Sequence, residues 1–355
     1  YKAAEGGKTT ITMMLDTSGS MAANFTKDAC DLPSGVSNNQ VSINTQTSTT
    51  TPSYTKRYCE LTNSKRYYYR LSPQGKWYRC GSSDGSGDSS YNYTSICVTA
   101  VANPSLGSEY SFVTSGSDNK YYYTSTKYYD RLTRLKDALF TLMDNTLLDP
   151  KKVAIGIGQF SSQSGSDNLV SFNESNGLAS DADSKTGKIL VPAALVDYDQ
   201  RAKIKAVVAA AGGGGNTPTA NAYAEVGAYM LGKNTSASTY SGYDKSVSTS
   251  KSGGSYNSPL SSPSSCDGRG IYFLTDGEPN SSPNPNYVMQ LALGASSFSI
   301  PSVTLPNGTQ NNNGMPQVGA FAKALRNPAI NPLGTDREIY TAVVGFGSVF
   351  NVNAS

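Results

Sequence analysis

The apolar run Ile11-Thr12-Met13-Met14-Leu15 stops abruptly at Asp16, and hydroxyls follow at Ser18 and Ser20 with Gly19 between them. No other stretch constrains the fold as strongly, because it asks for an oxygen-rich turn at the carboxyl end of a strand. Gly19 lets the backbone curl tightly, so donors at alternate positions i, i+2 and i+4 can converge. A carboxylate and two hydroxyls offer only oxygen, the donor that Mg2+, Mn2+ and Ca2+ prefer.

Two later stretches carry matching chemistry. Gly212-Gly213-Gly214-Gly215-Asn216-Thr217-Pro218-Thr219-Ala220 is a glycine-rich loop opening a helix, and Gly270-Ile271-Tyr272-Phe273-Leu274-Thr275-Asp276-Gly277-Glu278-Pro279 is a second strand-like run closed by a carboxylate. In this order the three elements resemble the metal-ion-dependent adhesion site of von Willebrand factor A domains: the D-x-S-x-S turn, the threonine loop and the strand with its terminal aspartate. The resemblance implies that Asp16, Ser18, Ser20, Thr217 and Asp276 hold a divalent cation directly or through water, Mg2+ first, with Mn2+ or Ca2+ as alternatives. Such a donor set leaves the ion under-neutralised and one position open, suited to an Asp or Glu carboxylate from a partner. Taken singly, Ser18 and Ser20 also read as turn hydroxyls, Thr217 as a helix cap and Asp276 as part of an Asp-Gly turn.

Strand-like and helix-like runs alternate through the rest of the chain. Lys152–Phe160 reads as a buried strand, Asn168–Phe172 as a shorter edge strand and Glu338–Phe346 as a last strand. Tyr128–Met143, Tyr198–Ala211, Thr219–Leu231 and Gln317–Arg326 read as helices, the second ended by the glycine run. The expected fold class is α/β: a doubly wound, von Willebrand A (Rossmann-like), mainly parallel sheet flanked by helices, formed by residues 1–21 and 127–355. Ligands of such sheets bind outside the carboxyl ends of the strands, where Asp16 and Asp276 fall.

Residues 22–126 interrupt this alternation with roughly a hundred Ser, Thr, Asn, Gly and Tyr-rich positions, too many for a structureless loop, so they are expected to form an inserted β-rich subdomain. Within it Lys56–Arg79 reads as a small meander carrying Lys56, Arg57, Lys65, Arg66, Arg70, Lys76 and Arg79 among tyrosines and the single Trp. Those side chains suit a polyanion, although a solvated hairpin stapled by disulfides is the favoured reading. Residues 234–266 read as a flexible surface insertion.

The chain contains no histidine, which removes histidine general bases, the Ser-His-Asp and Cys-His mechanisms and histidine-ligated metals together. The glycine run is followed by no Lys-Ser/Thr pair and is no phosphate-binding loop. The expectation is a binding module, not an enzyme. Five cysteines without a C-x-x-C pair read as disulfide stapling in an oxidising compartment, with Cys59–Cys80 the cheapest pairing and one cysteine left over. A net charge of +3 makes nucleic acid an unlikely partner, and no run is long and apolar enough to span a membrane. The start at Tyr1 lacks a leader's features, so an exported chain is expected to have lost its leader.

A stapled insertion between first strand and first helix, a Ser/Thr/Asn/Tyr-rich composition and an end soon after the last strand resemble the amino-terminal region of the PilC/PilY family of type IV pilus tip adhesins. That resemblance implies an extracellular, pilus-tip location, a host or extracellular-matrix protein ligand, and pilus subunits contacted through other parts of the parent chain. The core motifs are shared by many unrelated proteins, and the sequons at Asn24 and Asn307 keep a eukaryotic secreted protein open.

Overall fold

The structure is a computed structural model and describes residues 7–61, 68–70, 77–80, 97–101, 110–115, 120–161, 185–260, 266–276, 279–300 and 314–345. Strand β1 (Thr9–Asp16) opens the chain. The excursion after it holds β2 (Val41–Thr47), β3 (Thr55–Leu61), β4 (Tyr68–Arg70), β5 (Trp77–Cys80), β6 (Cys97–Val101), β7 (Tyr110–Ser115), β8 (Lys120–Ser125) and β9 (Tyr128–Tyr129). Next come helix α1 (Arg131–Asp144), β10 (Val153–Phe160), β11 (Lys188–Leu195), α2 (Tyr198–Ala210) and α3 (Thr219–Leu231). A two-stranded ribbon of β12 (Lys251–Ser252) and β13 (Ser255–Tyr256) precedes β14 (Gly268–Thr275), α4 (Pro285–Leu293), α5 (Met315–Arg326) and β15 (Tyr340–Gly345).

The central sheet has the order β11-β10-β1-β14-β15, parallel throughout except for the antiparallel β10–β11 pair. Side chains alternate across β1: Met14 joins one core with Phe160, Phe273 and the apolar residues of α3, α4 and α5, while Met13 and Leu15 join the other with Leu132, Leu135, Leu139 of α1 and Ile204, Val207, Val208 of α2. Helices therefore cover both faces, an arrangement compatible with a Rossmann-like sheet. Every position of α3 is buried, its alanine-rich sequence being largely apolar apart from Thr219, Asn221 and Glu225. From central β1 the chain passes to β10 on one side and later to β14 on the other, so the loops after β1 and β14 flank the crevice where strand order reverses.

In the first insertion, β2, β3 and β9 form one sheet, and β6-β5-β4-β8-β7 another. The meander expected over Lys56–Arg79 is therefore divided: Lys56 and Arg57 lie on β3, Arg70 on β4 and Arg79 on β5, and Lys65, Arg66 and Lys76 fall outside the described residues. The pairing Cys59–Cys80 is corrected as well. Cys59 bonds Cys30 (Cα–Cα 6.1 Å), because both pack with Ala23 and Val41 in a small cluster at the root of the insertion. Cys80 sits on the other sheet, opposite Cys97 in the β5–β6 ladder. Cys266 is exposed and outside this bond.

The second insertion differs from the surface loop expected over 234–266. Tyr243, Tyr256 and Leu260 are part of the α3 core, and fully buried Glu225 of α3 accepts hydrogen bonds from Thr235 Oγ1 (2.8 Å), Tyr256 Oη (2.5 Å) and the Gly242 amide (3.0 Å). Burial foremost raises the Glu225 pKa. A polar sequence conceals this packing because one buried acid on the helix gathers its donors from it. The edge strand expected at Asn168–Phe172 lies outside the described residues.

Candidate metal centre

Hydrogen bonds hold the three loops of the resemblance together. The Gly19 amide donates to the Gly215 carbonyl (3.0 Å) and the Gly214 amide to the Thr17 carbonyl (2.8 Å), stitching the turn after β1 to the glycine loop. Glycine is needed there for two reasons. Gly215 has φ +77°, and a Cβ on Gly213 would stand 2.4 Å from that of Ala22. The glycine loop is in turn tied to the segment after β14: the Thr217 amide donates to Asn280 Oδ1 (3.0 Å) and the Asn280 amide to the Thr217 carbonyl (2.9 Å).

Asp16 and Asp276 are both fully buried. Asp16 Oδ1 accepts from the Ser18 amide (2.8 Å), and its Oδ2 accepts from Thr275 Oγ1 (3.0 Å) and the Asp276 amide (3.2 Å). Ser18 Oγ lies 2.9 Å from Ser20 Oγ, which donates to Asp276 Oδ1 at 2.9 Å. Asp16, Ser18, Ser20 and Asp276 thus form one continuous polar constellation at the carboxyl ends of β1 and β14. Thr217 is buried and positioned through its backbone. It does not act as the helix cap: Pro218 occupies that position and no side chain caps the helix.

Desolvation by burial, joined by the neighbouring charge of Asp276, raises the Asp16 pKa well above the carboxylate range. The one neighbouring cation faces Asp276 instead. Arg131, the first residue of α1, donates through Nη1 to Asp276 Oδ2 (3.1 Å) and the Ser20 carbonyl (3.3 Å), while its Nη2 and Nε grip Asp31 at 2.6 and 3.2 Å. Arg134 pairs with the same Asp31. Burial works to raise the Asp31 pKa, but hydrogen bonds from Arg131 and Arg134 outweigh it and hold the carboxyl below its usual range. A single guanidinium is therefore divided between Asp276 and Asp31, and Asp16 has no cation of its own in this constellation.

The donor set fits a hard divalent ion. Two buried carboxylates and two hydroxyls in mutual contact supply oxygen only, and the buried Thr219 Oγ1, two residues beyond Thr217, has no hydrogen-bond partner. Among the described residues no group of three or more His, Cys, Asp or Glu is placed to hold a metal ion.

Lys56 of the basic set forms an ion pair with Asp137 (2.8 Å) and stacks over the Tyr54 and Tyr129 rings, so its charge is engaged by α1 and its neighbours. Sequence reasoning missed Arg131, Asp31, Thr275 and Asn280. Asn280 and Thr275 stand beside the recognised motif and were within reach of it. Arg131 and Asp31 carry no local signal, being 145 and 100 positions from the residues they join.

The chain matches no protein-family model, no curated protein and no solved structure. Among the described residues no helix is long and apolar enough to cross a membrane.

Proposed function

We propose that this chain is a von Willebrand A-like adhesion module in which Asp16, Ser18, Ser20, Thr217 and Asp276 bind Mg2+, or Mn2+ or Ca2+ in its place, and present it to a carboxylate of a protein ligand. One observation carries the reading: of two fully buried carboxylates, joined through a pair of serine hydroxyls, Asp276 has only part of one guanidinium and Asp16 has none. Burying charge without compensation is costly, and a divalent ion among these oxygens supplies what is missing. When bound, it would act as the electrophilic anchor for an incoming Asp or Glu side chain. The role is binding and not catalysis.

The narrower form of the proposal is an exported protein at a bacterial pilus tip, as in the PilC/PilY family, contacting a host or matrix protein. A disulfide-bonded insertion rooted between first strand and first helix supports it. A structural role for the cation also has a specific observation in its favour, since Arg131 already neutralises part of Asp276 within the fold.

Titration with Mn2+ followed by electron paramagnetic resonance tests the site. Substituting residues outside a metal's direct ligands already costs about 10–100-fold in affinity, so Asp16→Ala should weaken Mn2+ by at least about a hundredfold. Equal binding by the two proteins sinks the proposal. Loss of ligand binding on chelation with little change in melting temperature favours adhesion. A large fall in melting temperature favours the structural role.

A further inference from the structure

The guanidinium of Arg131 is divided between two carboxylates from different parts of the chain. It lies at the boundary of the site and the first insertion, with Asp276 on one side and Asp31 on the other, and its side chain is 9 % exposed. Three features aim it there. Asp130 caps α1 by accepting from the Thr133 amide (2.8 Å) and, through its other oxygen, from the Ala23 amide (2.9 Å), which fixes the first turn of the helix against the chain leaving the site. Asp31 is held at φ +46°, a left-handed conformation that a non-glycine residue adopts at a cost, directly after disulfide-bonded Cys30. Arg134 approaches Asp31 from the next turn of α1.

A divalent ion drawn to Asp276 meets a positive charge already on that carboxylate, and the two repel at short range in a buried setting. The guanidinium has one ready destination, the Asp31 carboxylate it already holds by Nη2 and Nε. From this juxtaposition we infer that Arg131 is a built-in competitor of the cation, which the ion displaces from Asp276 onto Asp31. The balance between those two carboxylates then sets the ion's affinity. Arg131 is a positioning residue that couples the site to the root of the insertion. By linkage, whatever strengthens Arg131–Asp31 strengthens ion binding, and the bound ion strengthens Arg131–Asp31 in return. This inference rests on the cation reading above.

Mn2+ and Mg2+ titrations of the chain and its variants, by calorimetry and paramagnetic resonance, separate the possibilities. Arg131→Met removes the competitor and should tighten Mn2+ by about tenfold, ~1.4 kcal/mol. Asp31→Asn removes the destination and should weaken Mn2+ by about the same factor. The double variant should bind like Arg131→Met, because Asp31 acts only through Arg131. A merely structural role would weaken binding in both single variants. Unchanged or weaker Mn2+ affinity in Arg131→Met, with the parent chain binding through Asp16, overturns the competitor while leaving the cation site standing. Should Arg131→Met fail to fold, unchanged or tighter binding by Asp31→Asn overturns it. No Mn2+ binding by the parent chain or either variant overturns both readings together.

Discussion

Asp16 carries a fold constraint and, in the function proposed above, a metal-binding carboxylate as well. Its carboxylate organises the turn after β1 and the end of β14, yet it is buried beside a second carboxylate. Burial and the charge of Asp276 raise its pKa in the folded chain. The folded, metal-free chain therefore holds a proton that the unfolded chain releases at lower pH. The stability this provides is complete below the unfolded pKa and is lost as pH rises through the folded value. Thermal melts in the presence of chelator should accordingly show a falling melting temperature as pH climbs from acid towards neutrality. Mg2+ should reverse the trend most strongly at the higher pH, because the ion binds the ionised carboxylates and proton and cation compete for them. A metal-free melting temperature that rises with pH, traced to Asp16 by its loss in Asp16→Asn, would contradict this.

At the scale of elements, the legible parts were those whose local chemistry and tertiary role agree. The helix Tyr198–Ala210 has a capping Asp197 and a glycine run beyond its end, and Thr219–Leu231 begins after a proline, so both were read within a residue or two. The strand Lys188–Leu195 was not, because Pro192 argues against a strand interior; its place at the sheet edge explains the tolerance. The helix Pro285–Leu293 was not read either, having only nine residues and no side-chain cap at its start. The basic meander held in its β4–β5 hairpin, but its first run, β3, joined a different sheet, a choice made by partners such as β2 and β8 that no local pattern reveals. The meeting of Asp16 with Asp276 was legible because each acid closes a strand of its own, whereas the Arg131 bridge is a tertiary contact and had no period or motif to betray it. Asp130 gives the element-scale prediction. It caps α1 and also holds the Ala23 amide, so Asp130→Ala removes a cap and strands a buried donor, together costing about 2–4 kcal/mol in urea unfolding. A loss within about 0.5 kcal/mol, the range of ordinary surface changes, would show that neither bond matters.

For the whole molecule, the question is how an excursion as long as residues 22–126 leaves the sheet intact and still reaches the carboxyl end of β1. Among the described residues the insertion gives Ala22 and Tyr54 to one of the two large cores on either face of the sheet, while Ala23, Cys30, Val41 and Cys59 form a separate small cluster. Cooperativity between sheet and insertion is therefore concentrated at the root, where Cys30–Cys59, Asp31 and the Ala23–Asp130 bond converge on the start of α1. The disulfide closes a separation of 29 residues, for which chain entropy predicts roughly 3–4 kcal/mol of stabilisation. That loss should be local. With Cys30→Ser and Cys59→Ser combined, amide hydrogen exchange should accelerate across residues 23–61 while β1, β10 and β14 keep their protection, as expected when a small cluster opens apart from the main cores. Because Asp31 follows Cys30 directly, the same variant should also weaken Mn2+ binding, in the direction of Asp31→Asn and opposite to Arg131→Met. Uniform acceleration across the sheet would mean that the insertion and sheet fold as one unit, and faster exchange with unaltered Mn2+ affinity would sever the link drawn between the insertion's root and the ion.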